Sequence, residues 1–149
     1  MMRFTRKLAL AVEAVLDIAY HASDMPVQSR EIAERQGVPR RYLEQVLQHL
    51  VRADILRGVR GPRGGYRLAR ERRRIALGEI VRIVSELETA EADPEEGSEL
   101  GSRVLTPIWR ELEEEAIQRL DSITIEDLCR KARSSGVEVD NQAQPDFTI

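Results

Sequence analysis

The chain holds one cysteine, Cys129, and two histidines, His21 and His49, among its 149 residues. One thiol builds no internal disulfide framework. Nor does it build a cysteine-only metal or iron–sulfur cage within one chain. Neither histidine lies in an H-E-x-x-H motif, and no G-x-S-x-G element occurs. No nucleophile–base set is therefore present, and an enzyme is not expected. His49 and His21 both read as structural, with His21 closing a first helix where the helix dipole favours a cation. Long apolar runs are also missing. The most apolar early run, Leu8 to Tyr20, is broken by Glu13 and Asp17, too short and too charged for a bilayer. A cytoplasmic protein with no membrane partner is expected.

Strong overall charge is absent too, since the net charge is only −3. Its distribution is uneven. Residues 1–75 carry 16 Lys and Arg against 8 Asp and Glu, net +8, whereas residues 76–149 carry 7 against 18, net −11. The basic half is the candidate for a polyanion, and the acidic half should face away from it.

What remains is mostly helical. "TRKLALAVEAVLDIAYHA" offers Thr5 as N-cap and Leu8, Val12, Val15, Leu16 and Ala19 at helical spacing. "SREIAERQG" reads as a short helix from a Ser29 cap to a stop at Gly37. "VPRRYLEQVLQHLVRADI" starts at Pro39 and buries Leu43, Val46, Leu47 and Leu50. Two helices joined at Gly37 form a helix-turn-helix. "ILRGVRGPRGGYRLAR" then reads as a β-hairpin, which completes a winged helix-turn-helix.

The hairpin's glycines invite a nucleotide-binding reading, and it fails. No Lys-Ser or Lys-Thr follows a glycine, and the dinucleotide spacing is wrong. The wing reading uses the glycines for positive φ angles in a tight turn. Arg57, Arg60, Arg63 and Arg67 line that turn and suit a DNA minor groove. Arg40, Arg41, Tyr42, Glu44, Gln45 and Gln48 lie on the other faces of the second helix near its start, where base edges are read. "RERRR", residues 70–74, serves either phosphate contacts or a solvated connector.

Downstream, "IALGEIVRIVSEL" reads as a helix with Ile80, Val81, Val84 and Leu87 apolar. The acidic stretch from Glu86 to Glu99 reads as a loop, without the calcium-loop pattern. "TPIWRELEEEAIQRLDS" reads as a helix capped by Thr106 with Pro107 at its first position. Its Ile108, Trp109, Leu112, Ala116 and Leu120, with Ile117, share one face suited to pairing with a second copy. "ITIEDLCRKA" has Thr124 and Asp127 at capping-box spacing. Cys129 there reads as a small buried residue or as a redox-active thiol beside Arg130 and Lys131. The expected organisation is a mainly α winged helix-turn-helix domain over 1–87, an acidic loop over 88–103, a long dimerisation helix and a short helix over 104–133, and a flexible tail over 134–149.

The segments "RFTRKLALAVEAVLDIA", "IAERQGVPRRYLEQVLQHL", "VRGPRGGYRLAR", "IALGEIV", "LTPIWREL" and "SITIEDL" together resemble the Rrf-two family of bacterial winged-helix transcriptional regulators. They occur in the family's order over about residues 2–132. The resemblance implies a homodimer that binds double-stranded DNA, most simply as a repressor. It implies a recognition helix over Arg40 to Gln48 and places Arg60 in a minor groove. Glu44 and Gln45 match positions that read or gate base contacts. Cluster-binding members carry three cysteines between the winged domain and the long helix. Here that loop has none, and no histidine stands near Thr106 or Pro107. The resemblance therefore points to a member without a cofactor, responding to a metabolite or a partner protein. A Cys129 thiol sensor and a protein-interaction module that does not bind DNA are the alternatives.

Overall fold

The computed structural model describes residues 5–91 and 97–140. Helix α1 (Arg6–Tyr20) precedes α2 (Ser29–Gln36) and α3 (Arg40–Arg52). A hairpin follows, with β1 (Leu56–Val59) antiparallel to β2 (Gly65–Leu68) in the register Leu56 opposite Leu68 and Val59 opposite Gly65. A 3-10 turn at Arg72–Arg74 leads into α4 (Leu77–Glu91). A π-helical turn at Gly101–Leu105 leads into α5 (Thr106–Asp121), and α6 (Ile125–Ser134) ends the helical part. The mainly α winged helix-turn-helix expected from the sequence is the fold.

α1 is the hub. Its burial is wider than the predicted stripe, taking in Leu10, Ala11, Ala14 and Ile18 as well as Leu8, Val15 and Ala19. Other elements close on it from several sides, so a single apolar face is too narrow for its neighbours. Thr5 caps it as expected, accepting from the Leu8 N–H at 3.2 Å. α3 buries the predicted four residues, Leu43, Val46, Leu47 and Leu50. Each such side chain removed from water stabilises the fold by roughly 1.5–3 kcal/mol.

An ion pair inside the domain ties α2 to α1. Asp17 of α1 is buried, and the Arg35 guanidinium on α2 grips it from Nε at 3.0 Å and from its NH2 group at 2.7 Å. Gln36 adds a third donor at 3.0 Å. A buried carboxylate left without these donors would be costly, so the contact holds one geometry.

Three local expectations change. The N-cap of α2 is Gln28, boxed with Glu31, and Ser29 is already helical. Ser29 is thereby released to bond a side chain on α3. Thr106 is likewise inside its helix and caps nothing: it has helical angles, and its N–H reaches back to Gly101 O. The π-helical turn ahead of Pro107 accommodates a residue that has no N–H to give the helix. Of the wing glycines, Gly61 alone has a positive φ, at 116°. Gly64 and Gly65 serve close approach instead, since a Cβ would lie 2.2 Å from Val59 O and 2.5 Å from Val27 O. That closeness lets Val27 pair with Tyr66 as a third, one-residue strand, by bonds of 3.0 and 2.8 Å.

The expected acidic loop is partly helical. α4 continues to Glu91, helped by Thr5, whose hydroxyl bonds Glu88, and helical turns resume at Glu99. Alanine, glutamate and leucine favour helix strongly enough to extend it. The middle of that stretch, 92–96, lies outside the described residues, as does 141–149 of the expected tail. The tail's earlier part is docked. Tyr20 donates its hydroxyl to Val137 O, the Asp140 N–H donates to His21 Nδ1 at 2.7 Å, and Arg35 pairs with Asp140 at 2.9 Å. α6, grouped by sequence with the dimerisation helix, packs in the winged-helix core through Ile125 and Cys129. Its capping box forms as predicted, Thr124 with Asp127 at 2.9 and 3.1 Å.

Candidate nucleic-acid interface

The turn between α2 and α3 rests on Gly37, whose φ of 65° and ψ of 38° give the left-handed cap that a tight turn needs. α3 then leaves Pro39 with its buried stripe toward α1. Arg40, Arg41, Gln45 and Gln48 are thus presented to solvent, with Tyr42 and Glu44 half-buried. Tyr42 also packs against the core.

Glu44 sits in a small polar network. Its Oε1 accepts from the Ser29 hydroxyl at 3.1 Å and from Arg40 Nε at 2.9 Å. The negative charge on this face of α3 is thereby partly neutralised. A cleft of about 670 Å³ lies beside it, with Arg40, Glu44 and Ser29 on one wall and Arg60, Pro62 and Tyr66 on the other. Burial, and then the charge of Glu44, hold the Tyr66 phenol above its usual range, with Arg40 opposing them. The wing and the start of α3 therefore face one space.

The wing arginines divide. Arg57, Arg60 and Arg63 are exposed, and among the described residues no carboxylate pairs with them. Arg67 is committed to the body: its guanidinium donates to Ser23 O at 3.0 Å and to Asp24 O. It holds the loop under the wing. Within the RERRR cluster Arg70 and Arg72 reach other elements, whereas Arg73 pairs inside the cluster itself. Arg70 pairs with Glu79 at 2.7 Å, Arg72 with Glu126, and Arg73 with Glu71 at 2.6 Å. The connector reading suits these three residues better than phosphate contact.

The long helix offers a second kind of surface. Leu105, Ile108, Trp109 and Leu112 are exposed, Trp109 by 44%. Ala116 and Leu120 are half-buried, and Ile117 and Leu120 pack toward the domain core. The stripe continues upstream through Val104 and on to Leu100, which falls in the expected acidic loop. Their spacing of four residues was the available signal: 100, 104, 108 and 112 fall on one helical face.

Cys129 is fully buried. Burial pushes its thiol up, although the Arg72 cation opposes this, so the environment disfavours thiolate. Arg130 and Lys131 lie on the exposed side and do not reach that balance. His21 differs from its expected role as a helix-end cation. It is buried, and burial and then Arg35 lower its pKa, against Asp17, Asp140 and Glu31. Its Nδ1 accepts a backbone N–H, which only the neutral ring can do. Among the described residues no group of histidine, cysteine, aspartate and glutamate could hold a metal ion. With one buried thiol, the residues do not fit a cluster of several cysteine ligands. No described helix is long and apolar enough to cross a membrane.

A family model described as an iron-dependent transcriptional regulator, Rrf2, matches residues 4–131. The HTH-type transcriptional regulator IscR of Xenorhabdus nematophila is 40% identical over 131 residues, covering 87% of this chain and 80% of that protein. IscR of Yersinia pseudotuberculosis is 40% identical over 129 residues, covering 85% and 79%. Among solved structures, T. potens IscR superposes with a TM-score of 0.73 at 32% identity, covering 93% of both chains. CymR, the global cysteine regulator of B. subtilis, superposes with a TM-score of 0.68 at 27% identity, covering 88% of this chain and 98% of that one.

Proposed function

The chain belongs to the Rrf2 family of transcriptional regulators, and from that premise we propose that it is a homodimeric, sequence-specific DNA-binding repressor. The observation that carries this reading is the shared cleft between the start of α3 and the wing, lined by Arg40, which Glu44 holds, and by Arg60, on which no described carboxylate sits. Phosphate backbone is the anion that such a ribbon and helix suit together. Arg41, Gln45 and Gln48 are placed to reach base edges, with Arg40 and Glu44 beside them as a coupled pair. Arg60 enters the adjacent minor groove, flanked by Arg57 and Arg63.

Dimerisation uses Ile108, Trp109 and Leu112, with Ala116 and Leu120 toward the domain. Two recognition helices related by a two-fold axis read half-sites about one helical turn, roughly 34 Å, apart. Repression follows from occlusion of the promoter by the bound dimer. The acidic half lies mostly on α5 and its approaches, away from the basic half in sequence, which suits a partner or effector surface. The regulator so inferred works in the cytoplasm, carries no cluster of the three-cysteine type, and answers to a metabolite or a partner protein. No catalytic step is assigned to it.

The test is a fluorescence anisotropy titration with an operator duplex selected by the full-length protein. Affinity should fall steeply between low and moderate salt, because bound arginines release counterions. A scrambled duplex should bind far more weakly. Equal affinity for both duplexes would point instead to an interaction module that does not read DNA.

A further inference from the structure

The C-terminal end of α5 is fixed to the winged domain at one corner. Asp121, the last residue of α5, makes a two-pronged pair with Arg82 of α4, at 2.7 and 2.6 Å. The carboxylate lies over the first turn of α4, where the helix dipole favours an anion. It fits there because residue 78 is glycine. A Cβ on Gly78 would lie 2.1 Å from Asp121 Oδ1 and 3.0 Å from the Asp121 backbone nitrogen. Backbone pairing closes the corner: the Leu77 N–H donates to Ile123 O at 2.8 Å, and the Ile125 N–H donates to Ile75 O at 2.9 Å. Ala76 and Thr124 form the bridge between them.

Away from the corner the contact loosens. A cleft of about 870 Å³ lies between α4 and α5, lined by Ser85 and Glu86 on one side and Arg110, Glu113 and Ile117 on the other. α5 is thus held at one end and open along its length, with its bare apolar residues toward the free end. Its 16 residues make a lever of about 24 Å. A tilt of roughly 10° at the corner moves the far end by roughly 4 Å. One base-pair step along DNA is about 3.4 Å.

We propose that Gly78, Arg82 and Asp121 are the positioning residues that set which half-site spacing this regulator accepts. The inference rests on the dimeric, DNA-reading function above and names what fixes its geometry. The three residues touch no base. They act by holding the tilt of α5 relative to α3, and the two-fold axis doubles any error in that tilt. An exposed ion pair contributes little to stability. Its work here is directional: Arg82 aims the Asp121 carboxylate and the fit onto a glycine sets how closely it lies, so both residues fix the corner.

The experiment uses the full-length protein and duplexes carrying its selected half-sites at the preferred separation and one base pair shorter or longer. The wild type should prefer one spacing by about tenfold or more, in line with the cost of one wrong base pair. Gly78→Ala and Arg82→Gln should keep the dimer mass in sedimentation and the half-site sequence. Their spacing preference should shrink to about threefold or less. A residue needed only for folding would lower the unfolding midpoint and leave that ratio unchanged. If Gly78→Ala does not fold, Arg82→Gln, on an exposed side chain, still gives the ratio. Unchanged spacing preference in a folded variant overturns the corner proposal alone. A wild type that binds single half-sites as well as paired ones overturns the dimeric reading, and this inference with it.

Discussion

α1 and α5 are almost the same length, 15 and 16 residues, yet α1 buries nine of its residues and α5 buries none. Both carry apolar side chains at helical spacing. The difference is what surrounds them. α1 is enclosed by α2, α3, α4, α6 and the wing, so its own chain satisfies it. α5 touches the domain through Ile117, Leu120 and the Asp121 corner and leaves Ile108, Trp109 and Leu112 to water. A helix of that kind draws its stability from a surface the monomer lacks. The comparison separates substitutions that damage the fold from those that damage assembly.

The largest effect should come from the open helix. Leu112→Glu places a charge in the proposed seam. It should weaken the dimer by roughly a thousandfold, about 4 kcal/mol. Sedimentation should show monomers, while the far-ultraviolet circular dichroism keeps its helical form. A dimer that survives this change would end the proposed role of the stripe.

Leu47→Ala makes the opposite cut. It should lower stability in a urea titration by about 2–5 kcal/mol, through lost burial and a cavity in the α1–α3 packing. Below the unfolding transition the dimer mass should stay as in the wild type. Loss of the dimer with stability intact would reverse the assignment of the two regions.

Smaller effects test the DNA-facing side. Arg60→Ala should cost roughly 1–3 kcal/mol of operator binding, with the dimer unaffected. Arg67→Ala should act differently, because Arg67 holds the loop at Ser23 and Asp24. Its deficit should appear first as a lower unfolding midpoint. Operator affinity at low temperature should change less than for Arg60→Ala.

The smallest effect concerns His21. Its pKa is lowered in the fold, so the unfolded chain binds the proton more readily. Stability from this site is complete above the ordinary value of 6.5. It declines as pH falls through 6.5 toward the lowered folded value. Urea midpoints measured between pH 7.5 and pH 5.5 should fall, and His21→Gln should flatten that part of the slope. The same slope in both proteins would mean that His21 is not the titrating group.

Much of this was readable from residue order. Thr5, Gly37 and the Thr124–Asp127 box announced their helix ends, because a cap is a local pattern. The stripe of α3 was legible for the same reason. The wing was legible as a hairpin, but the work of its glycines was not. Whether a glycine supplies a positive φ or makes room for Val27 depends on a segment some 40 residues away. Arg67 looked like a DNA contact because its carbonyl partners at Ser23 and Asp24 are distant in sequence, and the same distance hid the Glu126 partner of Arg72. Asp17 looked like a flaw in an apolar run until Arg35 was seen to meet it. The helical extension to Glu91 was hidden by charge: carboxylates suggest a loop, although glutamate forms helix well.

The central claim is that a dimer of this chain reads paired half-sites in duplex DNA. Selection from a random duplex library with the purified full-length protein tests it most directly. The account predicts enrichment of an imperfect inverted repeat with half-site centres about 10–10.5 base pairs apart, or a multiple of that. Recovery of duplexes with no shared sequence, or of lone half-sites bound by a monomer, would contradict it.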